Sequence, residues 1–188
     1  ENITIISGDE NPVVKEIIKQ KAFEINADYI DATGIKTDLV SDLKGNYQKK
    51  NIRVVLALVN ELRNQAINIS NDNVKSGLLN VHQNTNFIGR WFEFSKNPLT
   101  ICDTGHNQAG LEEVFKQLNE YSQKKHIILG FVNDKKIDNV IPMLPSEARF
   151  YFVKPSVGRG RHPEDYQDLL KKSKSNYKIF DSVQEGYL

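Results

Sequence analysis

The stretch "LTICDTGHN", residues 99–107, ends a short apolar run in an acid, a glycine, an imidazole and an amide. Ligands of open α/β sheets bind beyond the carboxyl ends of the strands, so polar residues placed just after a strand are candidates for chemistry. The Asp103 carboxylate could accept hydrogen bonds from a ribose diol, and the His106 imidazole could reach a phosphate or a carboxylate. Gly105 permits a backbone conformation or a close approach that a side chain would block. Asx residues also lead the preferences for helix N-caps, so Asp103 or Asn107 could equally cap the helix that follows.

Two further groups have suitable chemistry. Arg90, after Gly89, offers a planar fork for a phosphate, with a solvated surface arginine as the plain alternative. In "GNYQKKN" the side chain of Asn51 carries the donor and acceptor that match the N6 and N7 edge of adenine, and a helix cap is again the plain alternative. The run "KPSVGRGRHPEDY" places Ser156, Arg159, Arg161 and His162 after another strand; arginines there could hold an anion, but the run reads first as a flexible basic loop. "GFVNDKK" also ends a strand in polar residues, and Lys124, Lys125, Lys135 and Lys136 read as solvated helix ends. His82 and His126 lack partners at metal-ligand spacing and one cysteine cannot build a zinc site, so no metal site is expected within the chain. The pattern Gly-x-x-x-x-Gly-Lys-Ser/Thr of a P-loop does not occur in the sequence.

The elements that must position these residues follow from periodicity. "NITIISG" reads as a strand, "DENPVVKEIIKQKAFEINA" as a helix with Pro12 in its first turn, and "DYIDAT" as a second strand, a βαβ unit. Residues 33–46 are polar and irregular. Ile52, Val55, Leu56, Val59 and Leu62 then lie on one stripe of an amphipathic helix, and "ISNDNVKSGLLNVHQ" reads as a shorter helix with Asn71 or Asp72 near its cap. After about residue 87 a new alternation begins: the half-buried strand "RWFEFS", the buried strand "NPLTICD", the helix "NQAGLEEVFKQLNEYS", the strand "HIILGFV", a helix near "KKIDNVIPML", the strand "ARFYFV", the helix "PEDYQDLLKKSK" and the strand "YKIFDS". This order predicts an α/β fold, a Rossmann-like and mainly parallel sheet flanked by helices, preceded by a smaller α/β part.

Bulk properties narrow the partners. The 188 residues are 39% hydrophobic and 26% charged, and 25 basic residues nearly cancel 24 acidic ones. No global field recruits nucleic acid or an acidic membrane, so binding is sought in local sites. Small-molecule partners and a monomer are expected. The single Cys102 forms no internal disulfide and suits the reducing cytoplasm. No apolar stretch approaches the roughly 20 residues that span a bilayer, and no signal peptide opens the chain. The sequence starts at Glu1 rather than Met and stops at "EGYL", in what reads as the first turn of a helix, so a fragment is expected.

Together, "LKGNYQKKN", "GRWFEFSKNPLTICDTGHN" and "GFVNDKKIDNVIPML" resemble the carboxyl-terminal part of the folylpolyglutamate synthase/dihydrofolate synthase enzymes of the Mur ligase superfamily. The pattern Leu-x-Gly-x-His-Gln-x-x-Asn is met by Leu43, Gly45, Gln48 and Asn51, with Tyr47 where His is common. Gly-Arg, usually preceded by Pro, is met by Gly89 and Arg90 with Ile88 in the Pro place; Asp-Gly-Ala-His-Asn is met by Asp103, Gly105, His106 and Asn107, with Thr104 and Gly105 as small substitutions. The resemblance implies that residues 1–86 are the last elements of a central P-loop ATPase domain. Residues 87–188 would be most of the glutamate ligase domain that closes with it over ATP, possibly truncated. The P-loop, the Mg²⁺ ligands and the often carbamylated lysine would lie upstream. It implies an ATP-dependent ligase that phosphorylates a dihydropteroate or folate carboxylate and lets the amine of glutamate displace the phosphate. Asn51 would contact adenine, Arg90 the phosphates, Asp103 the ribose, and His106 the γ-phosphate or the incoming glutamate. Ser156, Arg159 and Arg161 do not align with the family pattern. The alternatives are a Mur-type ligase acting on a cell-wall precursor and a non-catalytic nucleotide-binding or interaction domain.

Overall fold

The computed structural model describes residues 3–133, 137–173 and 175–187. They form an α/β chain of two compact units, Glu1–Asp103 and Thr104–Leu188.

In the first unit β1 (Thr4–Ser7) and β2 (Asp28–Asp31) pair in parallel, joined by α1 (Pro12–Glu24) as the βαβ reading requires. Asn11 caps α1 by accepting the Val13 N–H at 2.9 Å, and Pro12 occupies the first turn, where its missing N–H costs nothing. Residues 35–46 carry no helix or strand. The amphipathic α2 (Gln48–Asn64) turns Ile52 inward against Val74 and Leu78 of α3 (Asn71–Leu79), a small cluster with Leu56 and Val59 at its rim. Ser70, rather than Asn71 or Asp72, caps α3, in a reciprocal box with Asn73. After the short α4 (Val81–Thr85), β3 (Phe92–Lys96) and β4 (Leu99–Cys102) form a two-stranded antiparallel hairpin with Phe92 opposite Cys102. This corrects the expectation of a buried central strand at "NPLTICD": Leu99 is 47% exposed and Cys102 is exposed. A short apolar run serves a hairpin arm as well as a buried parallel strand, and length alone does not separate them.

The second unit contains α5 (Gln108–Leu118), β5 (His126–Leu129), β6 (Arg149–Val153), α6 (Gln167–Lys172), β7 (Asn176–Phe180) and α7 (Val183–Tyr187). Its sheet has the order β5-β6-β7 and is parallel throughout. The central β6 buries Phe150 and Phe152 on one face, while on the other Val153 is buried and Arg149 and Tyr151 are partly so. Phe150 and Phe152, fully buried and stacked 5.8 Å apart, point to the face that carries Leu111 and Phe115 of α5, Tyr166 and Leu170. Val153 meets α7, where a Cβ on Gly186 would stand 2.6 Å from its Cγ1; only glycine lets that helix approach.

Where a helix was expected near "KKIDNVIPML", the described residues form a single 3-10 turn, Ile141–Met143. Ile137, Val140, Ile141 and Leu144 are nonetheless buried, so their helical spacing is satisfied by turns. Pro142 and Pro145 lack the amide hydrogens a longer helix would use. Lys135 and Lys136 lie outside the described residues. The helix expected over "PEDYQDLLKKSK" begins as a 3-10 turn, Pro163–Tyr166, before α6.

Candidate functional site

Asp103, the last residue of the first unit, caps no helix. Its Oδ2 accepts the Tyr47 hydroxyl at 2.8 Å and the Trp91 backbone N–H at 2.8 Å. Trp91 has a left-handed backbone, φ 48°, a conformation that costs a bulky residue of order 1–3 kcal/mol. It is held there by the bond to Asp103 and by burial of its indole, which is 2% exposed. Gly89, two residues earlier, has φ 98°, which glycine adopts freely. Tyr47 fits because Gly45 makes room: a Cβ there would stand 2.5 Å from the phenol ring. Burial, and then the bond to Asp103, pushes the Tyr47 phenol well above its ordinary value, while the Arg90 charge pulls the other way. Tyr47 therefore stays protonated and remains a donor. The Arg90 guanidinium donates to the Gly89 carbonyl at 3.2 Å and lies 5.8 Å over the Phe87 ring.

Asn51, one turn into α2, is not a cap either; Tyr47 holds that position and makes no side-chain cap bond. The Asn51 Nδ2 donates to Oε1 of the buried Gln48 at 2.8 Å. That bond fixes which end of the amide is which, and turns an exposed side chain into an oriented pair of acceptor and second N–H.

In the second unit the capping role falls to Asn107, whose Oδ1 accepts the Gly110 N–H at 2.7 Å. A Cβ on Gly110 would approach that oxygen to 3.0 Å, so glycine lets the cap close. His106 is exposed, and its Nδ1 lies 3.1 Å from the Thr104 carbonyl. A carbonyl only accepts, so in the neutral ring Nδ1 carries the proton and Nε2 keeps its lone pair. His106, Asn107, Phe131, Ile137 and Val140 line a pocket of about 190 Å³ at the N-terminus of α5, where backbone N–H groups favour negative charge.

The basic run is a loop whose backbone is tied down at Arg159, Gly160 and Arg161. Asn133 N–H donates to the Arg159 carbonyl at 3.0 Å, Arg161 N–H to the Phe131 carbonyl at 2.9 Å, and Gly160 N–H to the Val157 carbonyl at 2.7 Å. Gly160 is buried against the Pro155 carbonyl, where no Cβ fits. The Arg161 guanidinium lies 5.3 Å over the Tyr166 ring. Among the described residues, the one grouping with metal-ligating atoms is His162, Glu164 and Asp181, all exposed, with ligand atoms within 4.8 Å of one another.

The first unit thus gathers Arg90 and Asp103 around Tyr47 and places an oriented Asn51 one turn along the same helix, while His106 belongs to the second unit. Sequence reasoning missed the working parts that hold them, Tyr47 and the Trp91 amide. Tyr47 stood out only as a departure from histidine, and nothing in the sequence pairs residues 56 positions apart.

Residues 89–187 match the family described as Mur ligase, glutamate ligase domain. No curated protein matches the chain by sequence. Among solved structures, E. coli FolC in complex with ADP is similar over 98% of this chain and 46% of that one, at 22% identity and a TM-score of 0.75. Mycobacterium tuberculosis folylpolyglutamate synthase complexed with ADP and AMPPCP is similar over 98% and 47%, at 16% identity and a TM-score of 0.83. The bifunctional folylpolyglutamate synthase/dihydrofolate synthase of Yersinia pestis, complexed with AMPPNP and Mn ion, is similar over 98% and 46%, at 20% identity and a TM-score of 0.73. The chain spans about half the length of these structures and shares their fold. By its match over residues 89–187, the chain belongs to the Mur ligase family as a carrier of the glutamate ligase domain.

Proposed function

We propose that this chain is the carboxyl-terminal half of a cytoplasmic, monomeric, ATP-dependent ligase that adds L-glutamate to dihydropteroate, to folate polyglutamates, or to both, releasing ADP and phosphate. The observation that carries the reading is the division of labour after β4: Asn107 takes the cap, which leaves Asp103 and His106 for other work. Within this reading residues 1–86 end a central ATPase domain and residues 87–188 form the ligase domain, and the nucleotides bound by the similar folate enzymes support the choice of ATP.

The residues present fit a nucleotide. Asn51, its amide oriented by Gln48, reads the adenine edge; Asp103 accepts from ribose hydroxyls; Arg90 offsets phosphate charge through its fork. In this reading Asp103, with both donors on Oδ2, serves the ribose, and the magnesium ligands belong to the part of the enzyme outside these residues. When bound, ATP would supply the phosphoryl group that activates the substrate carboxylate, and Mg²⁺ would offset the charge on its phosphates. His106 accepts, at Nε2, the proton that the glutamate amine loses as it attacks, while Nδ1 stays anchored on the Thr104 carbonyl.

The test is glutamate-dependent ADP release by the intact enzyme carrying this chain, with dihydropteroate, folate or a cell-wall precursor as acceptor. Release with a folate acceptor is expected. Release only with the cell-wall precursor, or none with any acceptor, overturns the reading. Arg90→Ala and Asp103→Ala should each raise the ATP requirement about tenfold or more, the worth of a hydrogen bond to a charged group. The 188 residues alone, lacking a P-loop, should show no steady ADP release.

A further inference from the structure

We propose that Tyr47 is a positioning residue for nucleotide recognition: its hydroxyl, together with the Trp91 amide, sets the plane of the Asp103 carboxylate and so the direction in which it meets a ribose. This inference rests on the reading of Asp103 as the ribose acceptor. The terminal torsion of an aspartate is broad, so a carboxylate on a strand end has no preferred plane of its own. Here two donors converge on one of its oxygens, at 2.8 Å each, from points 56 and 12 residues away in the chain. One donor fixes where Oδ2 sits; the second removes the remaining rotation, and the direction of Oδ1 follows.

Three features suit Tyr47 to that work. It stands at the N-cap position of α2 yet makes no cap bond, so its hydroxyl is not spent locally. Its ring occupies the space that the absent Cβ of Gly45 leaves. Burial keeps the phenol protonated, so the donor persists across the pH range in which a ligase works. Tyrosine in the place where the related pattern commonly carries histidine reaches further from its Cα, and its hydroxyl spans the gap to Asp103 that a shorter imidazole would meet in a different geometry.

The test compares ADP with its 2′,3′-dideoxy analogue by titration calorimetry on the intact enzyme, whose adenine and phosphate contacts are common to both ligands. The wild type is expected to prefer ADP about tenfold or more. Tyr47→Phe, checked for an unchanged melting profile, is expected to lose most of that preference through weaker ADP binding with the dideoxy analogue unaffected. Tyr47→His, which keeps a ring donor, is expected to retain more of the preference than Tyr47→Phe, and it stands as the second variant should the first not fold. Equal loss of affinity for both ligands marks Tyr47 as a strut of the fold and overturns the proposal. So does a preference that survives Tyr47→Phe while Asp103→Asn abolishes it. If Asp103→Asn itself leaves the preference intact, it is the ribose reading of Asp103 that fails.

Discussion

The two units hold their polar residues by different means. Thr104–Leu188 packs Phe150, Phe152, Tyr166 and Leu170 into a continuous aromatic and aliphatic core, and Asn107 and His106 ride at the start of α5, whose Leu111 and Phe115 are sunk in that core. Among the described residues of Glu1–Asp103 the apolar cluster is the small one of Ile52, Val74 and Leu78, while Phe23, Ile17 and Val13 of α1 are 87%, 62% and 65% exposed. Its polar residues are held mainly by one another, through Asp103, Tyr47 and Trp91. In the second unit dispersion and burial set the geometry, so the loss of one polar atom stays local. In the first, one carboxylate oxygen joins α2 to the β3–β4 hairpin, and removing it disturbs both.

That contrast can be broken in order of effect. Phe150→Ala in the second unit should cost about 3–5 kcal/mol in denaturant unfolding, whereas Phe23→Ala on the exposed face of α1 should stay within about 0.5 kcal/mol; similar losses would erase the distinction between the cores. Asp103→Ala leaves the Tyr47 hydroxyl and the Trp91 amide without their acceptor and should cost the first unit about 1–3 kcal/mol, read by hydrogen exchange at Trp91. Asn107→Ala should cost about 1 kcal/mol, with increased exchange confined to the first turn of α5.

The smallest effect concerns Asp31, held at about 2 by the Thr33 hydroxyl, then by the Thr33 N–H and by Lys15. A carboxyl depressed from 3.8 gives stability that is complete above that value and is lost as pH falls toward about 2. Thr33→Val should move the Asp31 midpoint, followed by NMR, back toward 3.8. An unmoved midpoint would assign the shift to the Thr33 N–H and Lys15 instead.

Element order was readable because strands and helices alternate at lengths that periodicity resolves, and the parallel sheet of the second unit follows from it. The errors share a cause. Ile137, Val140, Ile141 and Leu144 carry a helical spacing, but two prolines leave only a 3-10 turn, and burial was satisfied without a helix. The run at β4 is apolar but half exposed, because among the described residues the strand it pairs with is β3. In the site, the Asn107 cap was within reach of a local rule, as was the Gln48 that orients Asn51 three residues on. The bond from Tyr47 to Asp103 was not, since it forms only when the chain between them folds.

Trp91 is the only tryptophan in the chain, and its own amide is bound to the carboxylate assigned to the ribose. The molecule therefore carries an intrinsic fluorophore wired to that carboxylate. Within these 188 residues no second indole competes, so its emission, quenched or shifted as Asp103 engages a ligand, would give a label-free optical signal.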